Sequence, residues 1–228
     1  MPAATAVIGD VLPLAVGIGV FPVPIIATLL TLFSRRGRAN GAAFAASWIV
    51  GIGLLTTVAA LVADGAASAS EDATSAAVSW VKLLVGVALL GAALRKWRAR
   101  PGPGETAEMP KWMASVDEYS PRNAVRAGLL LSAANPKNWA LAGAAGSTIG
   151  QVEMSASETA VCVAVFTGLA SLSVAGPVLY RLGGGERAER ALGQAQSWLV
   201  QNNAAILTVV LLIFGVQLVG KGLAGLSV

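Results

Sequence analysis

Histidine is absent from the 228-residue chain and cysteine occurs once, at Cys162. These two shortages exclude an intramolecular disulfide, Cys/His zinc sites, Cys–His pairs and histidine-based triads. Thiol–disulfide exchange would need a second cysteine, and no pair of aspartates lies inside an apolar run, so no catalysis, no metal and no cofactor are expected. Charge is scarce as well. Only 12% of residues are Asp, Glu, Lys or Arg, about half of the roughly 25% usual in a soluble domain. A water-soluble globule could not cover its surface with so few, and 55% of the chain is hydrophobic, with a mean hydropathy of +0.70. The composition describes an integral membrane protein, and the 26 glycines fit helices that approach closely in lipid.

Segments of about 20 apolar residues are needed to cross the hydrocarbon. Six are found, over residues 6–33, 41–63, 78–94, 127–149, 157–182 and 203–222. The first has no basic residue before it and is too long for the apolar region of a cleaved signal peptide, so it is expected to remain. Basic residues set orientation. Arg35, Arg36 and Arg38, then Arg95 through Arg126, then Arg181, Arg187 and Arg190 place 13 of the 16 on alternate loops. The other loops carry Asp64, Glu71, Asp72, Glu153 and Glu158 without a basic residue. The expected fold is therefore an all-α polytopic plasma-membrane protein with both termini outside the cytoplasm. The net charge of +4 is explained as a topology signal, and no nucleic-acid partner is expected.

Three spans, a long loop and three spans make the halves inverted: a first repeat over residues 1–94, a linker over 95–126 and a second repeat over 127–228. In the linker, Lys111, Trp112, Met113 and Val116 opposite Asp117 and Glu118 predict a short interfacial segment. Each repeat opens with a proline-broken helix, at Phe21-Pro22-Val23-Pro24 and at Asn135-Pro136-Lys137-Asn138. Pro22 lies 13 residues before Arg35 and Pro136 lies 10 after Arg126, so both breaks fall roughly 15–20 Å from the basic face. Broken helices at matching positions point to a binding site near the midplane. Proline frees a carbonyl, which in lipid must face protein or a water-filled cavity.

Lys137 is the one basic residue expected at mid-membrane, where it costs about 2.5–3.5 kcal/mol even on the lenient insertion scale. Two kinds of role are open to it: binding an anionic or sugar-bearing substrate or coupling an ion, or a structural contact with backbone carbonyls or Asn135. Asn135 and Asn138 flank it with amides, and Trp139 either walls the same cavity or packs. Asp10 is the candidate for proton coupling. The pairs Ser47/Gly51, Ala42/Ala46 and Gly146/Gly150 are assigned to helix packing.

The Pro22-Val23-Pro24-Ile25-Ile26 pattern, the basic turn at Arg35–Arg38 and the run Leu131-Ser132-Ala133-Ala134-Asn135-Pro136-Lys137-Asn138 resemble the lysine-exporter (LysE) superfamily. More narrowly, they resemble the actinobacterial Sap/GAP family of sulfolipid- and glycopeptidolipid-addressing proteins. The first pattern carries Phe21 where a small polar residue is expected. The resemblance implies transport of envelope glycolipids or their precursors, with membrane lipids and a lipid or small-molecule substrate as ligands. Export of small solutes such as amino acids is the alternative. So is a non-transporting accessory subunit, in a homo-oligomer or an envelope export complex.

Overall fold

The structure, a computed structural model, describes residues 2–66, 75–100 and 119–226. Every regular element among them is an α-helix. In chain order these are α1 (Pro2–Gly19), α2 (Pro22–Phe33), α3 (Gly37–Ala66), α4 (Ser75–Arg98), α5 (Pro121–Ala133), α6 (Pro136–Gly150), α7 (Ala156–Gly183) and α8 (Gly185–Ala224). Each of the six apolar segments is helical over nearly all of its length, and two are interrupted at their prolines. α1 and α2 form a pair bent by 58°, and α5 stops at Ala133 before α6 begins at Pro136. The predicted interfacial segment around Lys111–Glu118 lies outside the described residues.

Among the described residues, three helices are long and apolar enough to cross a membrane: Gly37–Asp64, Ala156–Gly183 and Gly185–Ala224. The bent α1–α2 pair makes a fourth if it is counted as one span. α8 is longer than its apolar segment. Its 40 residues begin with a polar stretch, Gly185–Gln201, in which hydropathy marks no span, and the helix continues without a break into the apolar half.

The chain divides into two compact units, one of Met1–Ser68 with Met109–Gln196 and one of Ala69–Glu108 with Ser197–Val228. Each unit draws on both halves of the sequence. In the second unit α4 meets the end of α8 through paired glycines. A methyl on Gly86 would lie 2.7 Å from the Val219 backbone nitrogen, and one on Gly215 would lie 2.7 Å from Leu90. The backbone leaves no room for a side chain at Gly86, whereas at Gly215 the Leu90 side chain would have to move.

The first unit is built around α3, which packs on α2, α5, α6 and α7. α2 is its most enclosed helix, with both prolines and every residue from Ile26 to Leu32 buried. Small residues let α3 approach its neighbours. Gly51 faces Ser132 and Gly128 faces Ser47, so α3 and α5 interlock reciprocally. Gly146 and Gly150 of α6 lie against the Thr56–Ala60 backbone of α3. Ser47, Gly51, Gly146 and Gly150 are thus packing residues, as assigned from their spacing.

Charges separate to the two ends of this unit. The α2–α3 turn, the start of α5 and the α7–α8 elbow share one end, where Asn40 Nδ2 donates to the Tyr119 carbonyl at 2.7 Å and Arg181 pairs with Glu189 at 2.9 Å. Arg35, Arg36, Arg38, Arg181 and Glu189 border one cavity there. Asp64 and Glu153 meet at the other end, beside the start of α7.

Candidate functional site

The two helix breaks are neighbours in space. At the first, the chain leaves helical geometry at Phe21, whose backbone is extended (φ −69°, ψ 121°). In an unbroken helix the Gly17 carbonyl would accept from the Phe21 N–H and the Ile18 carbonyl from residue 22. Here the Phe21 N–H turns to the Ile18 oxygen at 3.4 Å, and Pro22 has no N–H to give. Gly17 loses its helical partner, and the second half of the chain supplies a replacement. Lys137 Nζ donates to the Gly17 carbonyl at 2.8 Å and lies 3.5 Å from that of Ile18. The same ammonium stands 4.3 Å from the centroid of the Phe21 ring, within range of a cation–π attraction.

The second break is closed by its own side chains. Pro136 leaves the carbonyls of the last α5 turn short of donors. Asn138 is buried and its Nδ2 donates to the oxygens of Leu131, at 3.2 Å, and Ser132, at 2.9 Å. The Trp139 indole N–H donates to the Ala133 oxygen. Asn135 acts as N-cap of α6, its Oδ1 accepting from the Lys137 N–H at 3.0 Å. The run Asn-Pro-Lys-Asn-Trp therefore forms a self-capped helix start from which one long cation reaches across to α1.

Each candidate binding or coupling residue chosen from the sequence has a defined place. Pro22 and Pro24 are buried within the first unit, and Pro136 is exposed at the start of α6. Asn135 and Asn138 direct the amide atoms just described at their own segment. The Trp139 side chain is 61% exposed, on the outer surface of its helix. Asp10 is exposed on α1, seven residues and about 10 Å along the axis from Gly17. Lys137 makes the contact with backbone carbonyls, those of Gly17 and Ile18. Phe21, noted in the sequence only as a departure from the small polar residue expected there, is the aromatic ring beside the break on which the lysine finds a partner.

A second feature was not legible beforehand. A groove of about 900 Å³ lies between α3, the end of α6 and the first half of α7. Gly53 and Ala60 of α3 face Ala160, Ala164, Thr167 and Gly168 of α7 across it. Asp64 and Glu153 stand at its one end. Its lining is mostly apolar. Toward its inner end Thr167 is buried, and its hydroxyl has no hydrogen-bond partner among the described residues. None of the candidate binding residues chosen from the sequence lines this groove, although Gly150, assigned to packing, and the loop acids Asp64 and Glu153 do. The signal was present as small residues recurring at four-residue spacing, 156, 160, 164 and 168 on α7, a pattern shared with ordinary helix packing.

Long apolar helices, two proline breaks and a lysine held by backbone carbonyls together define a membrane protein that is helical throughout its described elements. Residues 11–224 match the family model of Sap, sulfolipid-1-addressing protein. The chain belongs to that family, which ties it to the addressing of a sulfolipid. No curated protein and no solved structure matches the chain.

Proposed function

We propose that this protein moves an envelope lipid, or a lipid precursor with an anionic or sugar-bearing headgroup, across or out of the plasma membrane. In this reading the chain crosses the membrane six times as two inverted repeats with both termini outside, and it carries no catalytic step. The observation that carries the proposal is the Lys137–Gly17 bridge. It joins the broken helix of one repeat to the broken helix of the other, and interrupted helices meeting at mid-membrane are a recurring transporter plan.

Magnitudes favour a bridge that opens. A hydrogen bond to a charged group contributes about 1.5–3 kcal/mol, close to the 2.5–3.5 kcal/mol cost of placing a lysine at the bilayer centre. The bridge offsets that cost without a large surplus. A state with the bridge broken is then populated at roughly 0.1–10%, and an anionic headgroup that binds Lys137 in place of the Gly17 carbonyl shifts the balance. The groove supports a lipid as cargo. Its mostly apolar walls suit an acyl chain.

Reconstitution into sealed proteoliposomes tests the proposal, with labelled sulfated glycolipid and labelled amino acids as parallel cargoes. Protein-dependent translocation of the lipid is the expected result. Movement of amino acids alone would replace the lipid reading with solute export. Movement of neither, together with co-purification of a large membrane partner, would make the protein an accessory subunit.

A further inference from the structure

Beside the α2–α3 turn lies a second cavity, of about 460 Å³, at the opposite end of the first unit from the acidic mouth of the groove. Arg35, Arg36 and Arg38 line it from the turn and the start of α3, and Arg181 and Glu189 line it from the α7–α8 elbow. Four arginines and one glutamate thus line one concavity. Orientation in a membrane explains why basic residues lie at this end. It does not explain why the turn, α3 and α7 gather four of them around one hollow.

The turn that carries the arginines is held firmly. Ser34 Oγ donates to the Thr31 carbonyl at 2.7 Å, and Asn40 Nδ2 donates both to Ser34 Oγ and to the Tyr119 carbonyl, each at 2.7 Å. Asn40 is fully buried. Gly37 is required by close approach, since a methyl there would overlap the Leu32 carbonyl. Arg181 is only 17% exposed and gives Nη2 to Glu189, while its Nε is buried without a hydrogen-bond partner among the described residues. Guanidinium groups are planar forks that match the oxygens of phosphate and sulfate. Placed together around a cavity they repel one another until an anion enters.

We propose that this basin binds a tetrahedral anionic group, a phosphate or sulfate carried by a lipid headgroup or free in solution, with Arg35, Arg36, Arg38 and Arg181 as donors and Glu189 as the intramolecular competitor. The site is separate from the Lys137 bridge and does not depend on transport.

Thermal unfolding of the full chain in neutral detergent tests it, titrated with phosphatidylglycerol or phosphatidylcholine in mixed micelles, and with sodium phosphate or sulfate at constant ionic strength. Phosphatidylglycerol is expected to stabilise the protein and phosphatidylcholine is not. Stabilisation by the inorganic anions as well identifies a free anion as a sufficient ligand; stabilisation by the lipid alone identifies the headgroup. Arg35→Gln/Arg38→Gln should weaken the apparent affinity at least about tenfold, the value of a lost charge-assisted hydrogen bond. Arg122→Gln/Arg126→Gln, on α5 at the same end but outside the basin, should leave it unchanged. Glu189→Gln should strengthen it. Equal weakening by the two arginine pairs, or no anion response in the wild type, would overturn the proposal and leave only a diffuse basic surface.

Discussion

Lys137 Nζ lies 2.8 Å from the Gly17 carbonyl oxygen across 120 residues of sequence. One proline break exposes the acceptor and the other delivers the donor. The two interruptions are thereby parts of one structure, and the strongest expectations of the account follow from it.

Replacing Lys137 with Met removes the donor while keeping length and apolar packing. The Gly17 carbonyl is then short of a partner, at a cost of about 1–3 kcal/mol. The purified protein should stay helical by circular dichroism and unfold a few degrees lower. Lys137→Arg keeps the charge and should retain most of that stability.

Asn138→Leu removes two donors at once, to Leu131 and Ser132. Its cost should exceed that of Lys137→Met. Hydrogen exchange should accelerate around residues 131–139 and stay unchanged in α4, which belongs to the other compact unit.

Two glycines three residues apart on α6 should behave oppositely. Gly146→Ala places a methyl 2.5 Å from the Thr56 carbonyl oxygen and should destabilise by about 1–3 kcal/mol. Gly143→Ala meets nothing within 4 Å, and its better helix propensity should make it neutral or slightly stabilising. Melting curves of the two variants in one detergent check this directly.

The positions of the helices could be read from the sequence because apolar length and proline are local signals. Pro22 and Pro136 announce their breaks through a missing N–H. The glycine spacing at 146 and 150 announces a close contact. Which carbonyl Lys137 would find, and that Phe21 would stand over it, depends on how the segments pack, and no local pattern encodes that. Gly185–Gln201 escaped hydropathy because its residues are polar, although the helix runs through them. The groove between α3 and α7 is lined by Gly, Ala and Thr, the same residues that elsewhere close helix interfaces, so spacing alone cannot separate a filled contact from an open one.

That ambiguity yields another test. Gly168 lines the groove, and a methyl added to it would meet nothing within 4 Å. Gly168→Leu should therefore fold and melt like the wild type while lowering lipid translocation severalfold. Loss of folding would show the space to be smaller than its 900 Å³ implies.

The most direct measurement is the initial rate of sulfated-glycolipid translocation in proteoliposomes for wild type, Lys137→Met and Lys137→Arg, at matched protein incorporation. A bridge that must be exchanged for an anionic headgroup requires Lys137→Met to lose at least about tenfold in rate, the worth of one charge-assisted hydrogen bond, and Lys137→Arg to keep a measurable fraction of it. A folded Lys137→Met protein that translocates the lipid at the wild-type rate would contradict the account.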